Sequence, residues 1–213
     1  SIEAPRLSWA VLDAVGEAAH EMGIRKTPDF NTGNNEGIGY FHVNQKRGRR
    51  WSSARGFLKP ALSRPNLRLE TNVLVDKVIV ENGRAVGVRF NQGGETFEAR
   101  TQGEVILCSG SIGSVQVLHR SGIGPQEWLL PLGIDTVLNR QGVGRNLQDH
   151  LQQRAIYKVD GVRTLNETYY NLFRRGWMGV DYLLRRRGPL TMAPSQLGIF
   201  TRSDPRQERA NIQ

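Results

Sequence analysis

The run Cys108-Ser-Gly-Ser-Ile-Gly-Ser-Val-Gln-Val-Leu-His-Arg-Ser-Gly-Ile-Gly124, entered directly from the apolar segment Val105-Ile106-Leu107, constrains this chain more than any other feature. An apolar strand that breaks at small residues and passes into a helix brings free backbone N–H groups to a helix N-terminus, where the partial positive charge suits a phosphate. The expectation is a nucleotide-cofactor site in an α/β fold, with Glu104–Leu107 inside a parallel sheet and a helix from about Ser111 to near Gly122. Strand, glycine turn and helix also recur as packing devices, so the surrounding segments decide how the run is read.

Upstream, apolar spacing predicts a helix from about Leu7 to Met22, with Leu7, Val11, Val15, Ala18 and Met22 on one face and Gly23 at its end. A loop to Glu36, a short strand near Tyr40–Asn44 and a turn at Lys46–Arg50 follow, then a helix capped by Ser52 or Ser53. From Leu67 the period changes to that of strands. Leu67–Glu70, Val73–Val80, Arg84–Phe90 and Thr96–Arg100, joined at Asn82-Gly83 and Gln92-Gly93-Gly94, predict a β-meander. A short helix over Pro125–Leu132 and an extended segment from Gly133 come next. Beyond Leu151 the pattern gives a strand at Arg154–Val159 and a helical region at Leu165–Arg186, broken at Gly176. Its apolar stripe is Leu165, Tyr169, Leu172, Phe173, Trp177, Val180 and Leu184, read as core. Gly188-Pro189 stops that helix, and Gln196–Thr201 forms the last strand.

The 213 residues carry 29 Lys and Arg against 20 Asp and Glu, a formal charge of +9. Such an excess suits a polyanion or an anionic membrane face. The clusters Lys46-Arg47, Arg49-Arg50, Arg174-Arg175 and Arg185-Arg186-Arg187 keep open an alternative reading, a non-catalytic basic module binding polyanions. No recognised nucleic-acid module accompanies them, and specific nucleic-acid binding is not expected. The one cysteine, Cys108, reads as a small buried hydrophobe at a strand end. His20, His42, His119 and His150 show no metal-ligand spacing, so no metal is expected. No stretch reaches the ~18 consecutive apolar residues of a membrane span.

Several further motifs stand in order: Pro28-Asp-Phe-Asn31, Glu36-Gly-Ile-Gly39, Gln45-Lys-Arg-Gly-Arg-Arg-Trp-Ser52, Ala61-Leu-Ser-Arg-Pro-Asn-Leu67, Gly142-Val-Gly-Arg-Asn-Leu-Gln-Asp-His150 and Arg187-Gly-Pro-Leu-Thr-Met192. With the Cys108–Gly124 run they resemble the glucose–methanol–choline (GMC) family of flavin-dependent oxidoreductases, in its choline-dehydrogenase-like and alcohol-dehydrogenase-like branch. Val115 stands where that family usually carries proline or serine. The family's opening Gly-x-Gly-x-x-Gly turn is not found: Leu147 follows Gly142-Val-Gly144 at the third glycine position, and His42 follows Gly37-Ile-Gly39. Nor is the segment bearing the family's catalytic histidine. The chain therefore reads as an internal piece of a larger enzyme.

The resemblance implies a mixed α/β fold, part doubly wound flavin domain with its meander and part antiparallel-sheet substrate domain with helices. Residues 1–58 and 151–213 would belong to the substrate lobe, and 59–150 to the flavin lobe. It implies FAD in the parent protein and oxidation of choline or another primary alcohol to the aldehyde, with these residues inactive alone. Val75 matches the position whose backbone meets the adenine edge. Ser109 and Gly110 are candidates for close approach of backbone to the dinucleotide, and Ser195 and Gln196 for the substrate cavity. Asn146, Asp149 and His150 read as a turn that ties backbone groups together rather than as acid–base machinery. No catalytic residue is assigned. The parent is expected to be cytoplasmic, with peripheral attachment to the inner membrane left open.

Overall fold

Two β-rich segments separated by helices organise the chain, which a computed structural model describes over all 213 residues. Helix α1 (Ala10–Glu21) leads to strand β1 (Gly37–Tyr40), the hairpin β2 (Gln45–Lys46) and β3 (Arg49–Arg50), and a π-turn at Ala54–Leu58 that runs into α2 (Lys59–Ala61). Strands β4 (Val73–Glu81), β5 (Arg84–Gln92) and β6 (Glu95–Arg100) follow, then helix α3 (Gly110–Arg120), β7 (Ile123–Gly124), α4 (Gln126–Leu129) and β8 (Leu138–Asn139). Helices α5 (Leu165–Tyr170) and α6 (Leu172–Arg185) precede the last strand, β9 (Leu197–Phe200). The contacts divide these into one unit of residues 1–67 with 156–213 and another of residues 68–155. No helix is long and apolar enough to cross a membrane.

In the second unit the meander forms as expected, β4-β5-β6 antiparallel in that order. Asn82 (φ 51°) and Gly83 (φ 75°) take the left-handed conformations that a two-residue hairpin turn demands. Phe90 opposes Phe97 in register, with ring centroids 5.8 Å apart, an aromatic cross-strand pair of the kind that holds register. Helix α3 packs on β4 through its C-terminal turn. The Ser121 hydroxyl donates to the Val117 carbonyl (2.6 Å) and accepts the Val78 N–H (2.8 Å), and both Ser121 and Val78 are buried. Beside it the Asp76 carboxylate accepts from Arg89 Nε (2.8 Å) and Nη2 (2.6 Å) and from Arg120 Nε (3.0 Å) and Nη2.

In the first unit β1 and β9 pair antiparallel, Ile38 opposite Ile199, which joins the two ends of the sequence. Phe30, Phe41 and Phe200 cluster beside this pair, with centroids 4.9 to 6.2 Å apart. Gln45 of the hairpin is buried and donates to the Thr191 carbonyl.

The structure departs from the sequence reading at definite places. Glu104–Leu107 joins no sheet, and Ile106 is 78% exposed. A parallel strand exists only by pairing with a neighbour, and no strand of this chain lies alongside; the parallel pair present is the short β7–β8. Cys108, at the end of that segment, is exposed for the same reason. Arg154–Val159 and Leu67–Glu70 likewise form no strand, and the first strand is Gly37–Tyr40 rather than Tyr40–Asn44. In α1 Ala19 is buried and Val11, Leu12 and Gly16 are half-buried, so the inward face keeps Val11 of the expected stripe and leaves Val15, Ala18 and Met22 outside. The break between the C-terminal helices falls at Asn171, not Gly176, because the Asn171 side chain accepts the Arg174 N–H (3.0 Å) and starts a new helix. Of the apolar stripe expected to be core, Leu165 is half-buried while Tyr169, Leu172, Phe173, Trp177, Val180 and Leu184 lie on the surface.

Many large apolar side chains stand exposed, among them Phe57 (80%), Ile106 (78%) and Phe173 (86%). Several apolar faces therefore stand uncovered. Within the second unit stability depends on the junction of α3 with β4. Ser121→Ala, which strands the buried Val78 N–H, is expected to cost about 1–3 kcal/mol in urea unfolding. The two guanidinium groups hold the Asp76 carboxyl below its ordinary value of 3.8. A carboxylate so depressed contributes fully above that value and loses its contribution as pH falls through the lower folded one. Acid unfolding monitored by circular dichroism should therefore steepen below pH 3.8, and Asp76→Asn should remove that part of the slope.

Candidate functional site

The N-terminal turn of α3 is built to leave its backbone open. Ser109 precedes the helix without a side-chain cap, and its own N–H donates to Ser114 Oγ (3.2 Å). Gly110 sits at φ +79°, a conformation costly for any residue with a Cβ, yet a Cβ there would meet nothing within 4 Å. Its glycine answers to backbone conformation and not to helix–strand packing. The first N–H groups of α3 have no intrahelical acceptor.

Beside this turn the second unit holds a cavity of about 750 Å³. Val73, Leu74, Val75 and Asp76 of β4 make one wall, Ser109 the rim, and Gly113, Gln116 and Val117 of α3 the other wall, with Leu132 and Ile134 at the side. β4 is an edge strand, so main-chain groups on its outer side are free of the β5 ladder. Val75 and Ser109, far apart in sequence, share this one cavity, and Gly110 adjoins Ser109 in the chain. A cavity of this volume, with largely apolar walls and with Asn91, Gln116, His119 and Arg120 also lining it, has the character of a small-molecule pocket. Asp76 also lines it, but its charge is spent on Arg89 and Arg120.

His119 explains a second motif. Its Nε2 lies 3.3 Å from the Val143 carbonyl, and its ring meets Trp128 edge to face at 6.1 Å. A Cβ on Gly124 would stand 2.6 Å from the imidazole Cδ2, and one on Gly144 3.0 Å from Cε1. Gly124 and Gly144 thus make room for one imidazole, and the Arg145 guanidinium lies over the Trp128 ring at 4.8 Å. Sequence reasoning missed this seat and the Asp76 junction. The signal for the junction was a carboxylate inside the run Val73-Leu-Val-Asp-Lys-Val-Ile-Val80, which a strand buries only with a cationic partner.

The other candidates fall elsewhere. Gln196 Oε1 accepts from Trp9 Nε1 (3.1 Å) and its carbonyl accepts the Phe41 N–H, while Ser195 is exposed. Neither lines the cavity of about 420 Å³ in the first unit, whose walls include Leu12, Asp13, Ile38, Tyr40 and Leu197. There Tyr40 donates to Asp13 Oδ1 (2.7 Å), and burial, then that carboxylate, raises the phenol above its usual 10.0. Asn146 (φ 58°), Asp149 and His150 are exposed, and Asp149 Oδ1 accepts the N–H of the adjacent His150 (2.8 Å), with no turn formed over 145–150. No group of three His, Cys, Asp or Glu side chains is placed to hold a metal ion.

A family model described as GMC oxidoreductase matches residues 3–152. The chain belongs to this family. It is 38% identical over 200 residues to the oxygen-dependent choline dehydrogenase of Sinorhizobium medicae, and 38% identical over 200 residues to an alcohol dehydrogenase (acceptor) of Pseudomonas putida. Each alignment covers 92% of this chain and 36% of the relative, so this GMC chain spans about a third of their length. Among solved structures it superposes on a fungal aryl-alcohol oxidase with a TM-score of 0.80 at 28% identity, over 93% of this chain and 35% of that one. An FAD-dependent oxidoreductase from Chaetomium thermophilum shares the fold, with a TM-score of 0.81 at 23% identity over 94% and 36% of the two chains.

The seat of the imidazole generates a double-mutant test. Gly124→Ala is expected to cost about 1–3 kcal/mol through overpacking against His119. In a His119→Ala background the same substitution should cost distinctly less, because the colliding ring is gone. Equal costs in both backgrounds, read from urea unfolding, would show that the ring is not what Gly124 accommodates.

Proposed function

We propose that this chain is a piece of an FAD-dependent dehydrogenase that oxidises choline or another primary alcohol to the aldehyde. The observation that carries the reading is the convergence of Val75 and the Ser109–Gly110 turn on one largely apolar cavity. Membership of the GMC family adds support, as do relatives named for choline and alcohol oxidation. The residues fit one end of a dinucleotide: a planar base suits the apolar wall of β4, and the open turn at Gly110 lets backbone N–H groups approach an anionic linker. When bound, FAD supplies the two-electron acceptor for the hydride of the alcohol carbon.

On this reading β4 meets the adenine edge through the main chain of Val75, while Val117, Leu132 and Ile134 exclude water. Asp76 holds the wall in place and carries no proton at neutral pH, because both of its arginines keep it ionised. Residues 59–150 would serve the flavin and residues 1–58 and 151–213 the substrate, with Ser195 and Gln196 near the alcohol. The acid–base step then falls to residues beyond these. Peripheral attachment of the parent to an anionic membrane is the further part of the proposal, supported by the charge of +9.

The rival reading, a basic module for polyanions, needs free cations on one face. Arg89 and Arg120 are spent on Asp76, Arg100 on Glu81 and Glu98, Arg145 on Glu127 and Arg202 on Glu36, whereas of the clusters Lys46-Arg47, Arg49-Arg50, Arg174-Arg175 and Arg185-Arg186-Arg187 only Arg185 is in an ion pair, with Asp181 (3.8 Å).

In the full-length protein, Ser109→Trp should fill the cavity rim and lower FAD affinity about tenfold or more, about 1.4 kcal/mol, in a flavin-fluorescence titration. Val75→Ala, which keeps the backbone, should change it little. Unchanged flavin affinity in Ser109→Trp would remove this cavity from consideration. These 213 residues alone are expected to show no alcohol-dependent dye reduction; a yellow, active preparation would overturn that division of labour.

A further inference from the structure

Helix α1 holds a glycine that the fold does not ask for. Gly16 lies in the middle of Ala10–Glu21, its φ is not positive, and a Cβ built on it would meet nothing within 4 Å. A glycine at such a place weakens a helix relative to alanine, because its backbone has more freedom to lose. Neither turn geometry nor close approach of another segment explains it. What Gly16 does border is the cavity of about 420 Å³ in the first unit, which Leu12, Asp13 and Glu17 from the same face of the helix also line. The missing side chain leaves that space open.

The wall opposite Gly16 is apolar. Ile38 is buried there, and Leu197 stands across from Tyr40 in the β1–β9 register. The charges on the lining are unevenly matched. Glu17 accepts from Lys26 Nζ on both carboxylate oxygens (2.6 and 2.7 Å), and His42 Nδ1 lies 3.6 Å from Asp29 Oδ1. Asp13 is in no ion pair: its Oδ1 accepts the Tyr40 hydroxyl (2.7 Å), and its Oδ2 accepts nothing from the chain. In a chain of net charge +9 this cavity thus carries a carboxylate with no cation of its own. An anion would meet that carboxylate with Lys26 already engaged, and a metal ion would find too few donors. One positive charge on a short apolar body satisfies both the open oxygen and the apolar wall.

We propose that the cavity between α1 and the β1–β9 pair binds a small organic ammonium ion, with its charge on Asp13 and its apolar body over Gly16 against Ile38 and Leu197. Every wall belongs to the first unit. The site is therefore independent of the flavin cavity and of the proposed alcohol oxidation, and its failure leaves that reading untouched.

The test is calorimetric titration of the full-length, flavin-loaded protein with phenethylammonium chloride, against phenylacetate as a probe of like shape and opposite charge. Phenethylammonium is expected to bind about tenfold or more tighter than phenylacetate. Gly16→Leu places a side chain in the open space and improves helix propensity, so it should abolish the binding with the flavin spectrum unchanged and the urea midpoint equal or higher. Asp13→Asn keeps an acceptor for Tyr40 but removes the charge, and should weaken phenethylammonium about tenfold or more. Absence of binding, or equal affinity for the two probes, would overturn the proposal. So would undiminished binding in a folded Gly16→Leu, which would put the probe elsewhere on the protein. If Gly16→Leu folds poorly, Asp13→Asn decides alone: undiminished affinity for phenethylammonium then removes the site.

Discussion

The second unit depends on one buried carboxylate. Asp76 sits in a strand among valines and isoleucine, where an isolated charge would be expelled or neutralised. It stays because β5 presents Arg89 and α3 presents Arg120, and together they meet both carboxylate oxygens. The same contact ties a helix to a sheet edge, with the Ser121 hydroxyl relaying between the helix end and the Val78 N–H. Both arginines are themselves partly exposed, so the pair stabilises less than a fully buried one. Its larger consequence is positional: with the C-terminal end of α3 pinned to β4, the other end of the helix stands opposite Val75, and the gap between them is the cavity.

That arrangement gives the glycines distinct duties. Gly110 supplies a backbone conformation and leaves the first turn of α3 uncovered. Gly124 and Gly144 supply space, and His119 fills it. A motif read as one glycine-rich signature is thus divided between an open helix turn and a seat for an imidazole, and Ser109 and His119 both line the cavity. The spacing of the glycines records both duties and distinguishes neither.

The meander was legible because its signals are local. Alternating β-branched residues, Asn82-Gly83 and Gln92-Gly93-Gly94 specify strands and turns without reference to anything distant, and Phe90 and Phe97 confirm the register. Helix α3 was legible for the same reason. The reading failed where structure requires a partner from elsewhere: Glu104–Leu107 has a strand's composition but no neighbour to pair with. At Asn171 a side-chain cap outweighed the glycine at 176, since a cap starts a helix while a glycine in its middle costs only about 1 kcal/mol. In α1 the apolar pattern was broad enough to leave Val15, Ala18 and Met22 outside the buried face, and packing of Leu12 and Ala19 chose between the alternatives.

The amino-acid sequence by itself determined the class of fold, the family and the identity of the turn at Ser109–Gly110, because these rest on propensity, glycine placement and the order of motifs. Only the tertiary structure decided that Val75 and Ser109 face one cavity, that Asp76 is held by two arginines, and that the apolar stripe of α6 looks outward. Each of these depends on which residues far apart in the chain meet, and periodicity reports a face without saying what it faces. An amphipathic pattern reads the same whichever way its apolar side is turned; the contacts on the opposite side, here Tyr182 beneath Arg186, show which face packs on the unit.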